Sequence, residues 1–147
     1  MILVDATLLS VNEYLKQYKK IPLTDEPWWL RTPYSKRGNY VHTIDNKGSI
    51  NYRYCLNKFT GVRPYCIFSV EPSDSLFWCK AETLIDSEIQ LFGYKWTILN
   101  YEFGNIHVFC NEIMLNHRFD TKTNVWDNSE LKRILKEEIE YLLSRQA

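Results

Sequence analysis

Residues 39–55, NYVHTIDNKGSINYRYC, change the period of the chain. On both sides of DNKG, apolar and aromatic residues alternate with polar ones, which is the two-residue period of a half-covered strand, and Gly48 supplies the freedom a tight turn needs. The stretch predicts a hairpin. Tyr40, His42 and Ile44 share one face of its outgoing strand, and Ile50, Tyr52 and Tyr54 share a face of the return. Asn51, Arg53 and Cys55 point the other way.

Upstream, LSVNEYLKQYKK (9–20) reads as a short amphipathic helix. Ser10 and Glu13 have the spacing of a capping box, Leu9 and Tyr14 that of a hydrophobic staple, Lys19 and Lys20 suit a C-terminus, and Pro22 stops continuation. ILVDATLL (2–9) before it predicts a strand broken near Asp5. Downstream, GVRPYCIFSV (61–70) predicts a further strand, with Pro64 marking an edge or a strand entrance. YKWTILN and IHVFCNEIML alternate around YEFGN, giving a second hairpin with Gly104 in its turn. Residues 71–90 carry Pro72, Ser73, Asp74 and Ser75 and read as a connection across the surface. The last helix is expected to start at an acidic capping box of Asp127 and Glu130, with Trp126 stapled onto Leu131. Its apolar stripe is Leu131, Ile134, Leu135, Leu142 and Leu143. Helices and hairpins that do not alternate as β-α-β predict an α+β fold of antiparallel hairpins with two helices, in a single domain over residues 1–147.

The 147 residues are enough to bury a core without staples, and 18 basic residues against 18 acidic ones leave no basic excess for a nucleic-acid backbone. No apolar stretch has the length of a membrane span, and the amino terminus lacks a positively charged leader, so a cytoplasmic location is expected. Cys55, Cys66, Cys79 and Cys110 show no C-x-x-C pair and lie on apolar or aromatic stretches. They read mainly as reduced core thiols, with a disulfide pair as the alternative. His42, His107 and His117 lack metal-ligand spacing, and no set of Asp, Asn and Glu ligands points to calcium; EPS (71–73) and WDN (126–128) are partial echoes only. No cofactor or metal is expected. His42 with Asp45, or His107 with Glu112, could be drawn as acid–base pairs, but no nucleophile stands beside either.

The candidate binding residues are Tyr34, Lys36, Arg37, Asn39, Asn51, Tyr52, Arg53, Asn57 and Lys58. They mix basic, amide and phenolic groups. Tyrosine offers contact area at small entropic cost, arginine forks onto acids, and the local positive charge in a neutral chain points to an acidic partner. In PWWLRTP (27–33), Trp28 and Trp29 could stack on a sugar or a base, but neighbours on an extended segment face opposite ways, so burial is the stronger reading. Arg31 and Arg63 are read as tethers of loops to backbone carbonyls or acids.

WWLRTP, a hairpin containing NKGSINYRY, and GVRPYCIFSV together resemble the closing half of an uncharacterised bacterial and phage domain family, whose members carry W-W-L-R-S-P, a glycine turn and G-V-R-P. TLLSVNEYLKQY fits the same half. FGYKWTILNYEFGNIHVFCNEIMLNHRFD followed by WDNSELKRIL resembles the opening half of that family. The resemblance implies a circular permutation, with residues 1–70 as the closing half, 91–147 as the opening half and 71–90 joining the former ends. A homodimer that swaps halves is the alternative to a permuted monomer. The motif order is also similar to that of C-type-lectin-like domains of the formylglycine-generating-enzyme type, which implies a core of that kind. The resembled family brings no known activity with it; because it occurs in phages and a small permuted single domain suits a dedicated inhibitor or adaptor, a non-catalytic protein-binding module of that kind is expected. Two alternatives stand beside it: a carbohydrate-binding lectin-like domain using Trp28 or Trp29 with Tyr52, and a degenerate formylglycine-generating-enzyme-like oxidase using Cys66, whose expected partner cysteine pattern is missing.

Overall fold

The computed structural model describes residues 1–70 and 84–145, so Cys79, the EPS echo and most of the expected 71–90 connection lie outside the described residues. The fold is α+β, and the described residues form two five-stranded sheets and two α-helices. The first sheet is ordered β1-β6-β9-β8-β7, from Ile2–Thr7, Tyr65–Ser69, Asn105–Cys110, Tyr94–Glu102 and Glu88–Leu91 respectively, and every pairing in it is antiparallel. The second is ordered β10-β5-β2-β3-β4, from Leu115–Asn116, Gly61–Val62, Trp28–Pro33, Tyr40–Ile44 and Ile50–Tyr54. One pairing in this sheet, β2 with β5, is parallel and consists of Trp28 opposite Gly61.

Both expected hairpins form, and β1 carries a register shift between Leu3 and Asp5, where the sequence predicted a break. A third hairpin joins β7 to β8, and its strand Glu88–Leu91 begins inside the stretch read as a connection. Its turn residues, Phe92 and Gly93, have φ of 57° and 83°; Phe103 and Gly104 between β8 and β9 have 53° and 77°. These are two-residue turns with both central residues left-handed, the geometry that matches strand twist.

α1 (Val11–Gln17) starts at the expected capping box: Ser10 Oγ accepts from the Glu13 N–H at 3.1 Å, and Glu13 Oε1 accepts from the Ser10 N–H at 2.9 Å. The same carboxylate oxygen takes a hydrogen bond from Arg31, which also donates to the Leu8 carbonyl at 2.6 Å, so the helix start is strapped to β2. Burial pushes the Glu13 carboxyl up, but the hydrogen bonds from Arg31 and Ser10 outweigh it and hold its pKa below 4.5. A lowered folded pKa means this contribution is complete above the unfolded value and is lost as pH falls through the folded one. Because the pair is part-exposed and screened, Glu13→Gln is expected to cost about 1 kcal/mol or less at neutral pH. The substitution should also flatten the acid limb of stability, read by chemical denaturation between about pH 3 and 7. Equal acid limbs in the two proteins would remove the carboxylate from the account.

α2 (Glu130–Ser144) corrects the expected cap. Trp126–Asn128 form a short 3-10 turn, and Ser129 is the N-cap, its Oγ accepting from the Lys132 N–H at 3.1 Å. Asp127 pairs instead with Lys132 Nζ at 3.2 Å, and Trp126 packs on Phe119 with ring centroids 5.8 Å apart. The fully buried positions of the stripe are Leu131, Leu135 and Ile139. Ile134, Leu142 and Leu143 are only partly covered.

Two clusters form the core. Against the α2 side lie Cys66, Phe68, Ile98, Ile106 and Val108, with Trp29, Val41 and Val62 from the second sheet. Phe109, one residue beyond Val108 and so on the opposite face, joins Leu9, Tyr14, Trp28, Leu30 and Ile44. Trp28 and Trp29 therefore point into different clusters, and both are covered, at 1% and 0% exposure. Neither indole is available as a platform.

The two sequence motifs meet at one joint. The chain runs from Val62 in one sheet to Tyr65 in the other with only Arg63 and Pro64 between. Gly61 permits the approach, because a Cβ there would lie 2.5 Å from Ile113 Cδ1 and 3.1 Å from the Pro27 carbonyl oxygen. Arg63 is fully buried; its Nε donates to the Cys110 carbonyl and an Nη to the Pro22 carbonyl, both at 3.1 Å. Its Cζ lies 4.7 Å from the ring centroids of both Trp28 and Phe109, so the guanidinium caps that aromatic pair. Burial brings its pKa down to about 10, which leaves it charged at neutral pH.

Candidate functional site

The β3–β4 hairpin pairs without a register shift: Tyr40 with Tyr54, Val41 with Arg53, His42 with Tyr52, Thr43 with Asn51, Ile44 with Ile50. Alternation sends Val41 and Thr43 into the core and turns Tyr40, His42, Tyr52 and Tyr54 the other way. The outer part of that face is open among the described residues, and Tyr52 and Tyr54 are each 41% exposed. Tyr34 folds over from the end of β2 and stacks on Tyr52, with centroids 4.1 Å apart and planes 13° apart. Tyr40 stacks on Tyr54 at 5.6 Å and 14°, and meets Tyr52 edge-on at 5.8 Å. His42 touches Tyr34 edge-on at 5.5 Å. Four phenols and an imidazole thus form one continuous surface, in which each ring contact adds about 0.5–1.5 kcal/mol beyond area burial.

The loop beside it is held by backbone. Tyr34 N–H donates to the Tyr40 carbonyl at 2.9 Å, and Asn124 Nδ2 donates to the Arg37 and Tyr40 carbonyls at 3.2 and 3.1 Å. Lys36 and Arg37 are exposed on this loop, and the Arg37 guanidinium lies 5.0 Å from the Tyr40 ring centroid. Asn39 is half-buried, its carbonyl accepting from the Cys55 N–H at 2.8 Å. Arg53 and Asn51 project from the opposite face of β4, and Asn51 Oδ1 accepts from the neighbouring Tyr52 N–H at 2.9 Å. Asn57 is occupied in its own turn, accepting from the Phe59 N–H and the Thr60 hydroxyl, both at 2.9 Å. Lys58 lies beside Phe59, with Nζ 5.4 Å from the ring centroid. The structure therefore groups Tyr34, Arg37 and Tyr52, adds Tyr40, Tyr54 and His42 to them, and leaves Asn51 and Arg53 on the opposite face of β4 and Asn57 and Lys58 in the turn that follows it.

The charge pattern is one-sided. Among the described residues, Lys36, Arg37, Arg53 and Lys58 make no ion pair, whereas Arg31, Arg118 and Lys132 each hold a carboxylate. Asp45, the one acid between residues 34 and 58, is committed to its turn, where Oδ1 accepts from the Lys47 and Ser49 N–H groups at 2.9 Å.

Elsewhere, a groove of about 410 Å³ is lined by Asp5, Glu13, Arg31, Tyr65, His107 and Lys132 among others. Tyr65 Oη and His107 Nδ1 are 2.7 Å apart. Burial pushes the phenol up to about 12 and the imidazole down, which favours the uncharged form of both. Glu112 does not reach His107; its Oε2 accepts from the Lys95 N–H at 2.7 Å. His42 likewise contacts the Thr32 carbonyl at 3.2 Å in place of Asp45. Cys55, Cys66 and Cys110 are free and buried. Burial pushes the Cys66 thiol well above its ordinary value and the Cys110 thiol up to about 12, the opposite of what a nucleophilic thiolate needs.

No helix among the described residues is long and apolar enough to cross a membrane. No curated protein and no solved structure matches the chain. Residues 7–70, which hold α1, β2 to β6 and the whole tyrosine surface, match the family model described as a domain of unknown function (DUF6273).

Proposed function

We propose that the chain is a non-catalytic protein-binding module, an inhibitor or adaptor, that meets an acidic partner through the tyrosine surface of the β3–β4 hairpin. The observation that carries this is the stacked array of Tyr34, Tyr52, Tyr40 and Tyr54, with Arg37 over the Tyr40 ring and with Lys36, Arg53 and Lys58 on the same stretch of chain, none of the four making an ion pair among the described residues. Rings already held against one another lose little entropy on binding, and unneutralised arginine and lysine favour carboxylates. Replacing Tyr34 and Tyr52 together by alanine is expected to weaken, at least tenfold, the binding of whatever protein the intact chain captures, and added salt should weaken binding to the intact chain. An unchanged affinity in the double variant would dismiss this surface.

The carbohydrate-binding alternative now rests on Tyr52 and Tyr54, because Trp28 and Trp29 are buried. Glycan-array hits lost in the same double variant would favour it. The oxidase alternative has the least support, given the burial and the weakened acidity of Cys66 and Cys110. The permuted, C-type-lectin-like reading is supported by the run of α2 alongside β1, where Glu140 and Leu3 line one groove. That brings the two ends of the described chain together, as an exchange of order between halves requires. A monomer mass in solution is expected on the permuted reading; a dimer would favour swapped halves.

A further inference from the structure

Resting on the reading of this hairpin as a protein-binding surface, we propose that the outer edge of β4 takes up an extended acidic segment of the partner as an added strand. Four strands end the two sheets. β1 is bulged between Leu3 and Asp5 and has α2 packed beside it, β7 has four residues, and β10 has two. β4 has five residues in unbroken register.

The ladder shows which backbone groups face outward. Cys55 N–H bonds to the Asn39 carbonyl at 2.8 Å and Asp45 N–H to the Ser49 carbonyl at 3.0 Å, so by alternation Asn51 and Arg53 bond to β3. Ile50, Tyr52 and Tyr54 therefore turn their N–H and C=O groups to the open edge. Two of these six groups are occupied: the Tyr52 N–H by Asn51 Oδ1, and the Tyr54 carbonyl by the Asn57 N–H at 3.0 Å. The others have no hydrogen-bond partner among the described residues. Asn51 thus acts as a removable cover over the middle of the edge, a device that blunts unwanted pairing.

The occupant follows from charge. An added strand places alternate side chains on the tyrosine side and on the side of Arg53, with Arg37 over the Tyr40 ring and Lys36 and Lys58 in the loops that flank the hairpin, none of them in an ion pair among the described residues. Self-pairing of β4 with a second copy would double that positive charge; an acidic segment neutralises it.

The probe is a blocked seven-residue peptide alternating valine with glutamate, compared with its valine–lysine counterpart and followed by amide shifts and hydrogen exchange. The glutamate peptide is expected to bind, and to protect the amides of Ile50 and Tyr54 from exchange, while the lysine peptide binds at least tenfold more weakly. Ile50→Pro deletes one outward N–H at the first residue of the strand, where proline is tolerated. It should bind at least tenfold more weakly than Ile50→Ala, which keeps the N–H. Asn51→Ala, by uncovering the Tyr52 N–H, should tighten binding about threefold. Equal binding by Ile50→Pro and Ile50→Ala, or none by the glutamate peptide at millimolar concentration, overturns strand addition. A dimer that Ile50→Pro dissolves would assign the edge to a second copy, and would also overturn it. The Tyr34 and Tyr52 double variant tests the ring surface separately, so failure at the edge is distinguishable from failure of the surface.

Discussion

Replacing Arg63 by alanine is expected to lower the midpoint of thermal unfolding by roughly 8–16 °C, corresponding to about 4 kcal/mol in a chain of this size. The side chain fills space against Trp28 and Phe109, and its loss leaves a cavity there. It also leaves the Cys110 and Pro22 carbonyls without the donor that satisfies them, at about 1–3 kcal/mol for each group that stays dry. The cation opposes these gains, since burial disfavours its charge and Nη2 has no acceptor among the described residues. Arg63→Met keeps the volume and discards the charge, so it should recover about half of the loss. Calorimetry of the three proteins separates the contributions. If alanine shifts the midpoint by less than about 3 °C, Arg63 does not hold the joint between the motifs.

Trp29→Ala is expected to be as severe, again about 4 kcal/mol, because a whole indole leaves the main cluster. Its Nε1 donates to the His117 carbonyl at 2.8 Å and its ring meets Phe119 edge-on at 5.6 Å, so it ties β2 to the segment after β10. That segment has other bonds back to the domain: His117 N–H to the Thr60 carbonyl at 3.1 Å, and Phe119 N–H to the Cys55 carbonyl at 2.9 Å. Amide protection at His117 and Phe119 should fall before protection in β8 and β9 does. Trp29→Phe retains most of the packing and deletes only the hydrogen bond, so it should cost about 1–2 kcal/mol. Uniform loss of protection across both sheets in Trp29→Ala would show that the tie is not local.

What could be read beforehand follows from which interactions are local. The hairpin at 39–55 was legible because its alternation and its turn residue agree, and α1 because Ser10 and Glu13 form a cap within a single turn. The start of α2 was misread because Asp127, Asn128 and Ser129 can all cap. The choice falls to burial of Trp126 against Phe119, a contact spacing does not reveal. Glu88–Leu91 was missed because four residues on a sheet edge alternate too briefly to stand out. Pro64 was visible as an interruption, but the change of sheet there depends on partners far along the chain.

The site was legible in part for the same reason. Tyr34 and Tyr52 were found through their chemistry, while Tyr40, His42 and Tyr54 join them only through cross-strand register, which the shared-face pattern already implied. Asn57 looked available by type, yet its side-chain oxygen is spent closing its own turn.

The passage from β5 to β6 through two residues has a mechanical meaning. Val62 and Tyr65 belong to different sheets but are separated by only three residue steps, at most about 10 Å of extended chain, with a buried guanidinium and a proline filling the interval. So short a link leaves little slack for one sheet to swing against the other. The open edge of β4 is thus tied, through β3, β2 and β5, to a joint that leads directly into the other sheet.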